Sequence, residues 1–383
     1  MRKLGFGFMR LPVLDENDRS TVNFSLTQQM VDYYMMNGFT YFDTAHRYND
    51  EMSETALSKT LTSRYARESF CLADKITLNY IKREEDQEPF FRNQLNLCGV
   101  DYFDNYLVHN MGEAWYPVAE KFRTFSFVKQ MKEKGLVRHI GFSFHGTPEM
   151  LETILNEHPE TEYVQLQINY LDFDDPALRA GECYEIARRH GKRIIVMEPV
   201  KGGTLINLPE EAAELLKAAD PEASLASWAI RFAASLEGVE VVLSGMSTLE
   251  QVADNVSYMW DFKPLDSREK ELLTHVADIV RKNTAIACTN CRYCVTECPK
   301  RIAIPDYFAL YNNMVRLENT GYMSNQSVYY NNLIQKHGKA GDCIRCGLCE
   351  KNCPQKLQIR SLLREVSDKF DEVKPLKISA GHT

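Results

Sequence analysis

Short apolar runs alternate with longer amphipathic ones along the first 260 residues. Eight of the short runs read as strands: 4–9, 40–45, 69–75, 105–110, 138–144, 164–170, 193–199 and 240–246. They are rich in Val, Ile, Phe and Tyr, and two are almost continuously apolar, as strands buried on both faces are. The segments between them carry helix punctuation. The run 26–37 ends at Gly38, 118–134 at Gly135 and 176–190 at Gly191, each placed to take the left-handed residue that closes a helix. Thr147-Pro148 opens 147–156 as a cap followed by proline in the first turn. The run 51–62 supplies a further helix. Strand then helix, eight times, predicts an α/β fold, a (β/α)8 TIM barrel over residues 1–262. An open doubly wound sheet is disfavoured because no G-x-G-x-x-G turn follows the first strand.

The alternation stops after Trp260. Lys263-Pro264 breaks it, and Asp266 with Glu269 forms a capping-box pattern for a linking helix over 263–284. Residues 285–374 then read as a small α-helical, ferredoxin-like domain. One or two helices are expected between its cysteine groups, and an amphipathic one over 357–370. Residues 375–383 form a loosely ordered tail.

That small domain is dictated by cysteine. Cys288, Cys291, Cys294 and Cys298 precede Pro299, and Cys343, Cys346, Cys349 and Cys353 precede Pro354. Both runs read C-x2-C-x2-C-x3-C-P, the spacing of [4Fe-4S] ligation in which the fourth cysteine serves the other cluster. One cluster is assigned to Cys288, Cys291, Cys294 and Cys353, the second to Cys343, Cys346, Cys349 and Cys298. Zinc would suit a lone C-x2-C pair, but not two repeats with a third cysteine and the C-x3-C-P ending. Ile302, Ile304, Leu357 and Ile359 follow the two prolines symmetrically, as a duplicated apolar shell would. The other three of the 11 cysteines, Cys71, Cys98 and Cys183, read as small buried hydrophobes.

The bulk numbers only narrow the setting. A hydrophobic share of 44% with 26% charged residues is that of a globular protein. A net charge of −8 excludes a nucleic-acid footprint and argues against anionic membranes. No apolar run is long enough to span a bilayer. The N-terminal residues lack a sustained apolar stretch and a small-residue cleavage site, so no signal peptide is expected and a cytoplasmic location is.

Candidate chemistry lies at the C-terminal ends of the strands, where barrel enzymes place it. Asp43 ends the second strand, with Tyr48 on the loop above it. Lys75 ends the third, 32 residues on, and His109 the fourth, 34 further. One strand–helix unit separates each from the next, so all surround one mouth. Lys75, held charged by Asp43, would lower the pKa of the Tyr48 phenol, and neutral His109 would hold a substrate oxygen. This is the equipment for protonating a carbonyl oxygen as hydride reaches its carbon. Singly, each residue has a structural reading: a turn cap, a loop aromatic, a buried ion pair, a core histidine. His46, His145 and Trp115 stand near the same strand ends as pocket-lining candidates, and Glu54 reads as capping or pairing within its helix.

Asp43, Tyr48, Lys75 and His109 resemble the catalytic tetrad of the aldo-keto reductase superfamily in order and context. So do the phrases Leu-Gly-Phe-Gly-Phe-Met-Arg-Leu-Pro, Asp-Thr-Ala-x-x-Tyr and Ile-Gly-Phe-Ser. With both quartets, about residues 1–370 resemble members that carry a C-terminal ferredoxin-like domain with two [4Fe-4S] clusters. The resemblance implies NADP(H) or NAD(H) across the mouth. Ser143 and Gln165 would hold its carboxamide with Asn169 close by, and Met197 falls where many members stack an aromatic ring. Glu198 to Gly203, with Gly202 and Gly203 admitting close backbone approach, would line the pyrophosphate. Gly245, Ser247, Gln251 and Asn255 would hold the adenosine end. Many members carry Lys and Arg where this chain has Gly245 and Gln251. The chain also begins at the first barrel strand, without the hairpin that often plugs the barrel base.

The expected function is interconversion of a carbonyl and an alcohol by hydride transfer, with Tyr48 as general acid/base. Two [4Fe-4S] clusters would exchange electrons with a ferredoxin-like partner. The alternative is an electron-transfer or redox-sensing protein whose barrel binds a nucleotide without turnover, its clusters structural or regulatory.

Overall fold

The structure is a computed structural model that describes residues 2–175, 178–282, 285–296, 298–318 and 325–371. Eight parallel strands close a barrel: β1 (Leu4–Gly7), β4 (Tyr41–Asp43), β5 (Cys71–Ile76), β6 (Phe103–Met111), β7 (Val137–Phe144), β8 (Tyr163–Gln167), β9 (Arg193–Met197) and β10 (Val239–Gly245). β10 pairs back on β1. The eight expected strands are all present, with ends shifted by at most three residues. Between β1 and β4 comes an antiparallel hairpin that the apolar pattern did not reveal, β2 (Val13–Asp15) and β3 (Asp18–Val22). Its strands carry mostly polar, half-exposed residues, so they lack a buried face to betray them.

The barrel interior is plugged by Tyr41, Ala73, Leu107, Tyr163, Ile195, Val241 and Leu243, one small core of inward-facing side chains. Gly5 keeps room for them. A Cβ there would lie 2.6 Å from Val241 Cγ1 and 2.7 Å from Leu243 Cδ2. Because strand side chains alternate, the residue two positions further along each strand also faces inward, one layer nearer the mouth. Those residues are Asp43, Lys75, His109, Gln165 and Met197. Outward-facing residues such as Phe42, Leu72, Val108 and Phe142 pack against the surrounding helices.

Several helices end where glycine punctuation placed them, with Gly38 at φ 77°, Gly135 at 75° and Gly191 at 65°. Thr147 caps the helix Pro148–Glu157 and accepts from Met150 N at 3.4 Å. The run 118–134 is two helices, Tyr116–Lys121 and Thr124–Glu133, broken at Arg123, which takes a positive φ. Of the helix expected over 176–190, Ala180–Arg189 is present, and its first two residues lie outside the described residues. The capping box of the linking helix Ser267–Lys282 is reciprocal: Asp266 N donates to Glu269 Oε2 and Glu269 N to Asp266 Oδ1, each at 2.8 Å. Its expected end at Asn283 and the tail 375–383 lie outside the described residues.

The C-terminal region has its own core of Ile302, Ile304, Tyr307, Phe308, Tyr330, Ile359, Leu363 and Val366, joined by Leu178 from the loop after β8. Its helices are Ile304–Glu318, Gln326–Leu333 and Ile359–Phe370, with one turn following each cysteine loop. No helix among the described residues is long and apolar enough to cross a membrane.

Candidate active site and cluster sites

Asp43 and Lys75 end neighbouring strands and form a buried ion pair, Lys75 Nζ donating to Asp43 Oδ1 at 2.6 Å and to Thr44 O at 2.7 Å. Gln165 Nε2 donates to the other Asp43 oxygen at 3.2 Å. Burial works against the Lys75 charge, but Asp43 and Tyr48 outweigh it and raise its pKa. Lys75 is therefore an ammonium, and Asp43 is what keeps it so.

Tyr48 lies directly above. Lys75 Nζ is 4.9 Å from its ring centroid, and the His109 ring stands edge-on at 6.0 Å. Lys75 acts on the Tyr48 pKa in the expected downward direction, but the net shift is upward. Burial raises it, Lys75 opposes, and Asp43 behind Lys75 cancels part of that opposition. Tyr48 is thus a phenol that holds its proton. His109 is pushed well below the usual histidine range, first by burial and then by Lys75 and Arg47. It is neutral, and Thr77 Oγ1, 2.9 Å from Nδ1, fixes its ring. Thr77 was not among the expected site residues; its place two positions beyond Lys75 is the one signal for it.

His145 is also at the mouth. Its pKa is lowered to about 4 by burial and Arg47, and its Nδ1 has no hydrogen-bond partner among the described residues. His46 instead turns away, bonding Glu54 Oε2 at 2.7 Å with its ring edge-on to Tyr80 and Phe90. Glu54 therefore pairs across to the loop after β4, not within its helix, and it also accepts from Gln94 Nε2 at 2.8 Å. Trp115 sits at the start of the helix Tyr116–Lys121 and packs against the outer core. Cys98 and Cys183 are buried and Cys71 is half-buried. Burial pushes the thiols of Cys71 and Cys183 up to about 12, so they are inert.

The residues carried over for the nucleotide divide into two groups. Ser143 Oγ accepts from Asn110 N at 2.7 Å, leaving its own hydrogen to donate, and Gln165 Oε1 is buried without a partner among the described residues. That orphaned acceptor fits an amide N–H, so the nicotinamide end suits the residues present. Asn169 is engaged elsewhere, donating to Asp172 Oδ2 at 2.7 Å and Glu198 O at 3.1 Å. Asp172 in turn pairs with Lys201, which is also buried. Met197 ends β9. Glu198 takes φ 55° and lies 3.5 Å from Arg10, whose side chain covers Gly245. Gly202 and Gly203 adopt φ 60° and 98° in a turn against which the helix Ile304–Glu318 packs. At the adenosine end Ser247 Oγ donates to Arg10 O and Ser247 N to Gln251 Oε1, both at 2.7 Å. Asn255 bonds Ser244 and Tyr258. These side chains are engaged with one another and with Arg10, a cation the sequence did not mark for this place.

Sequence reasoning also missed how the C-terminal region meets the barrel. The helix Gln326–Leu333 reaches the loops of the mouth. Asn332 donates to His145 O at 2.8 Å and accepts from Ala114 N at 3.2 Å. Tyr329 OH reaches Gln167 Oε1 at 3.3 Å, and its ring meets His145. Lys336 pairs with Glu113 at 3.2 Å. Nothing in the apolar pattern of 326–336 marks these polar contacts.

In the C-terminal region two small hollows are lined by cysteines. Cys288, Cys291, Cys294 and Cys353 line one; Cys298, Cys343, Cys346 and Cys349 line the other. Each hollow thus gathers three cysteines of one run and the fourth of the other, and these residues fit iron–sulfur clusters. Left-handed backbone at Asn290, Arg292, Arg345 and Gly347 wraps the loops around the hollows. Ile304 lines both hollows, so they are neighbours across one side chain.

A model of the aldo/keto reductase family matches residues 3–278, and one of a 4Fe-4S dicluster domain matches residues 287–357. No curated protein sequence matches the chain. Among solved structures, the fold is similar to that of aldo-keto reductase AKR11C1 from Bacillus halodurans in its holo form, at 24% identity and a TM-score of 0.57 over 72% of this chain and 91% of that one. An aldo-keto reductase from Klebsiella pneumoniae in complex with NADPH has 16% identity and a TM-score of 0.57, over 72% and 90%. One from Brucella melitensis has 21% identity and a TM-score of 0.55, over 71% and 94%.

Proposed function

Because the chain belongs to the aldo/keto reductase family, we propose that its barrel mouth interconverts a carbonyl and an alcohol, with Tyr48 as general acid/base, and that this chemistry is coupled to two [4Fe-4S] clusters. The observation that carries the proposal is convergence. The buried Asp43–Lys75 pair, Tyr48 and His109 meet at one mouth, and the cysteine-bearing region packs on the loops of that same mouth.

A bound nicotinamide would supply or take a hydride, two electrons and a proton, and each bound cluster would take or give one electron, so exchange between them requires a two-to-one-electron step that releases the proton. Ser143 and Gln165 orient the carboxamide. His109, neutral and fixed by Thr77, holds the substrate oxygen in the plane where Tyr48 can reach it. Tyr48 donates its proton to that oxygen during reduction, and Lys75 stabilises the phenolate left behind. Asp43 keeps Lys75 charged through both halves of the cycle.

The pKa directions fix the pH dependence. Reduction needs protonated Tyr48 and neutral His109. Tyr48 lies above its ordinary value near 10 and His109 well below 6.5. Carbonyl reduction with NADPH or NADH is therefore expected to be flat in kcat/KM between about pH 7 and 9 and to fall only above about pH 10. Alcohol oxidation needs the phenolate and rises over the upper part of that range. An inflection near pH 6.5 would contradict the neutral His109, and no turnover with any carbonyl would overturn the reading.

Charge supports the choice of electron partner. Residues 285–371 carry 12 Lys and Arg against 8 Asp and Glu, whereas residues 1–284 carry 31 against 44. Cys291 and Cys346 are exposed, and beside them Tyr293, Ile344 and Leu348 are 60%, 57% and 40% accessible. An apolar patch with a basic surround suits a small acidic one-electron carrier, such as a ferredoxin-like protein. Ile344→Glu combined with Lys300→Glu is expected to slow cluster reduction by such a carrier about tenfold or more at low salt. Stopped-flow reduction by dithionite serves as the control and should not change; equal slowing of both would contradict the docking face.

A further inference from the structure

Arg47 stands between His46 and Tyr48 on the loop leaving β4, half-buried. Several other arginines near this end of the barrel or by the cysteine loops have partners, among them Arg10 with Glu198, Arg281 with Leu171 O and Arg292 with Asp306. Arg47 has no hydrogen-bond or ion-pair partner among the described residues. Of the acids near it in sequence, Asp43 holds Lys75 and Asp50 is exposed at the surface. Glu51 accepts from Tyr80 OH at 2.8 Å, and Glu54 holds His46 and Gln94.

The charge of Arg47 is felt on three sides of the mouth, at Tyr48, at His109 and at His145. Those three come from the loops and ends of β4, β6 and β7. Two buried polar atoms on the same strand ends also lack partners. One is Nδ1 of His145, whose residue is 7% exposed, and the other is Oδ1 of Asn110, the residue after His109, held at φ 62°. A guanidinium half out of water with no counter-charge, with a buried unmatched imidazole nitrogen that can donate, suits an anionic ligand, whereas the Asn110 carbonyl oxygen is an acceptor and calls for a donor. The planar fork of Arg47 matches a carboxylate in two parallel hydrogen bonds.

We propose that the mouth takes an oxo acid: Arg47 grips the carboxylate while Tyr48 and His109 hold the carbonyl oxygen. The carbonyl half of this assignment rests on the proposed function; the carboxylate half does not.

Two measurements on the intact, anaerobically purified protein separate the halves. In the first, calorimetry compares benzoate with benzamide, neither of which is reduced. Benzoate is expected to bind more tightly. Arg47→Gln should cut that preference by about 10- to 100-fold, the value of a charge-assisted pair, and Arg47→Lys should restore only part of it. In the second, kcat/KM is compared for phenylglyoxylate and phenylglyoxylamide, and the same preference should appear and collapse with Arg47→Gln. An unchanged benzoate preference in both variants overturns the assignment. Arg47-dependent benzoate binding without turnover of either carbonyl keeps the carboxylate site and overturns the reductase reading instead.

Discussion

Replacing Tyr48 with Phe is expected to lower kcat for carbonyl reduction by about 10²- to 10⁴-fold, the usual contribution of a positioned general acid. The substitution removes one oxygen from a half-buried ring and leaves the Asp43–Lys75 pair untouched, so the fold and nicotinamide affinity should be unaltered. Lys75→Met is a poorer probe. It leaves Asp43 as an uncompensated buried charge, which destabilises by about 3–5 kcal/mol, so lost activity would be mixed with lost protein. Steady-state turnover with equal nicotinamide binding reads the Tyr48 effect cleanly. Unchanged turnover in Tyr48→Phe would remove Tyr48 from the chemistry and favour a barrel that binds a nucleotide without turnover.

The second large effect concerns the cysteines. The two hollows each draw their fourth cysteine from the other run. Iron analysis of paired substitutions tests this. Cys298→Ala with Cys346→Ala removes two ligands from one hollow, so about four of about eight irons should remain per chain. Cys298→Ala with Cys291→Ala strikes both hollows, and iron should fall well below about four. Ligation within each run would reverse the two results, because Cys298 and Cys291 would then share a cluster.

The strand-end chemistry was legible in the sequence because a strand has period two and a barrel has a mouth. Once Tyr41, Ala73, Leu107 and Tyr163 are read as interior, Asp43, Lys75, His109 and Gln165 must face inward one layer above them. Cysteine spacing was legible for a similar reason, since close ligands around one cluster leave few arrangements. What escaped depends on contacts between distant segments. The helix Gln87–Cys98, expected between the third and fourth strands, had no bounds in the pattern; it holds buried Gln94, which bonds Glu54, the Lys75 carbonyl and Tyr106, so a polar residue lies on its core face. The polar edge of Asn332 that joins His145 to Ala114 carries no periodic signal. The direction of the Tyr48 pKa shift turned on the loss of water around its hydroxyl and on Asp43 standing behind Lys75, and spacing records neither.

These contacts set the central claim, that the barrel mouth and the clusters work on the same electrons. Its most direct test is an anaerobic titration of the protein with NADPH and with NADH, following the visible absorbance of the clusters. The account predicts that one of the two nicotinamides bleaches the clusters, with about one nicotinamide oxidised for every two clusters reduced. Nicotinamide that binds, or that reduces a carbonyl, while the cluster absorbance stays unchanged would contradict it.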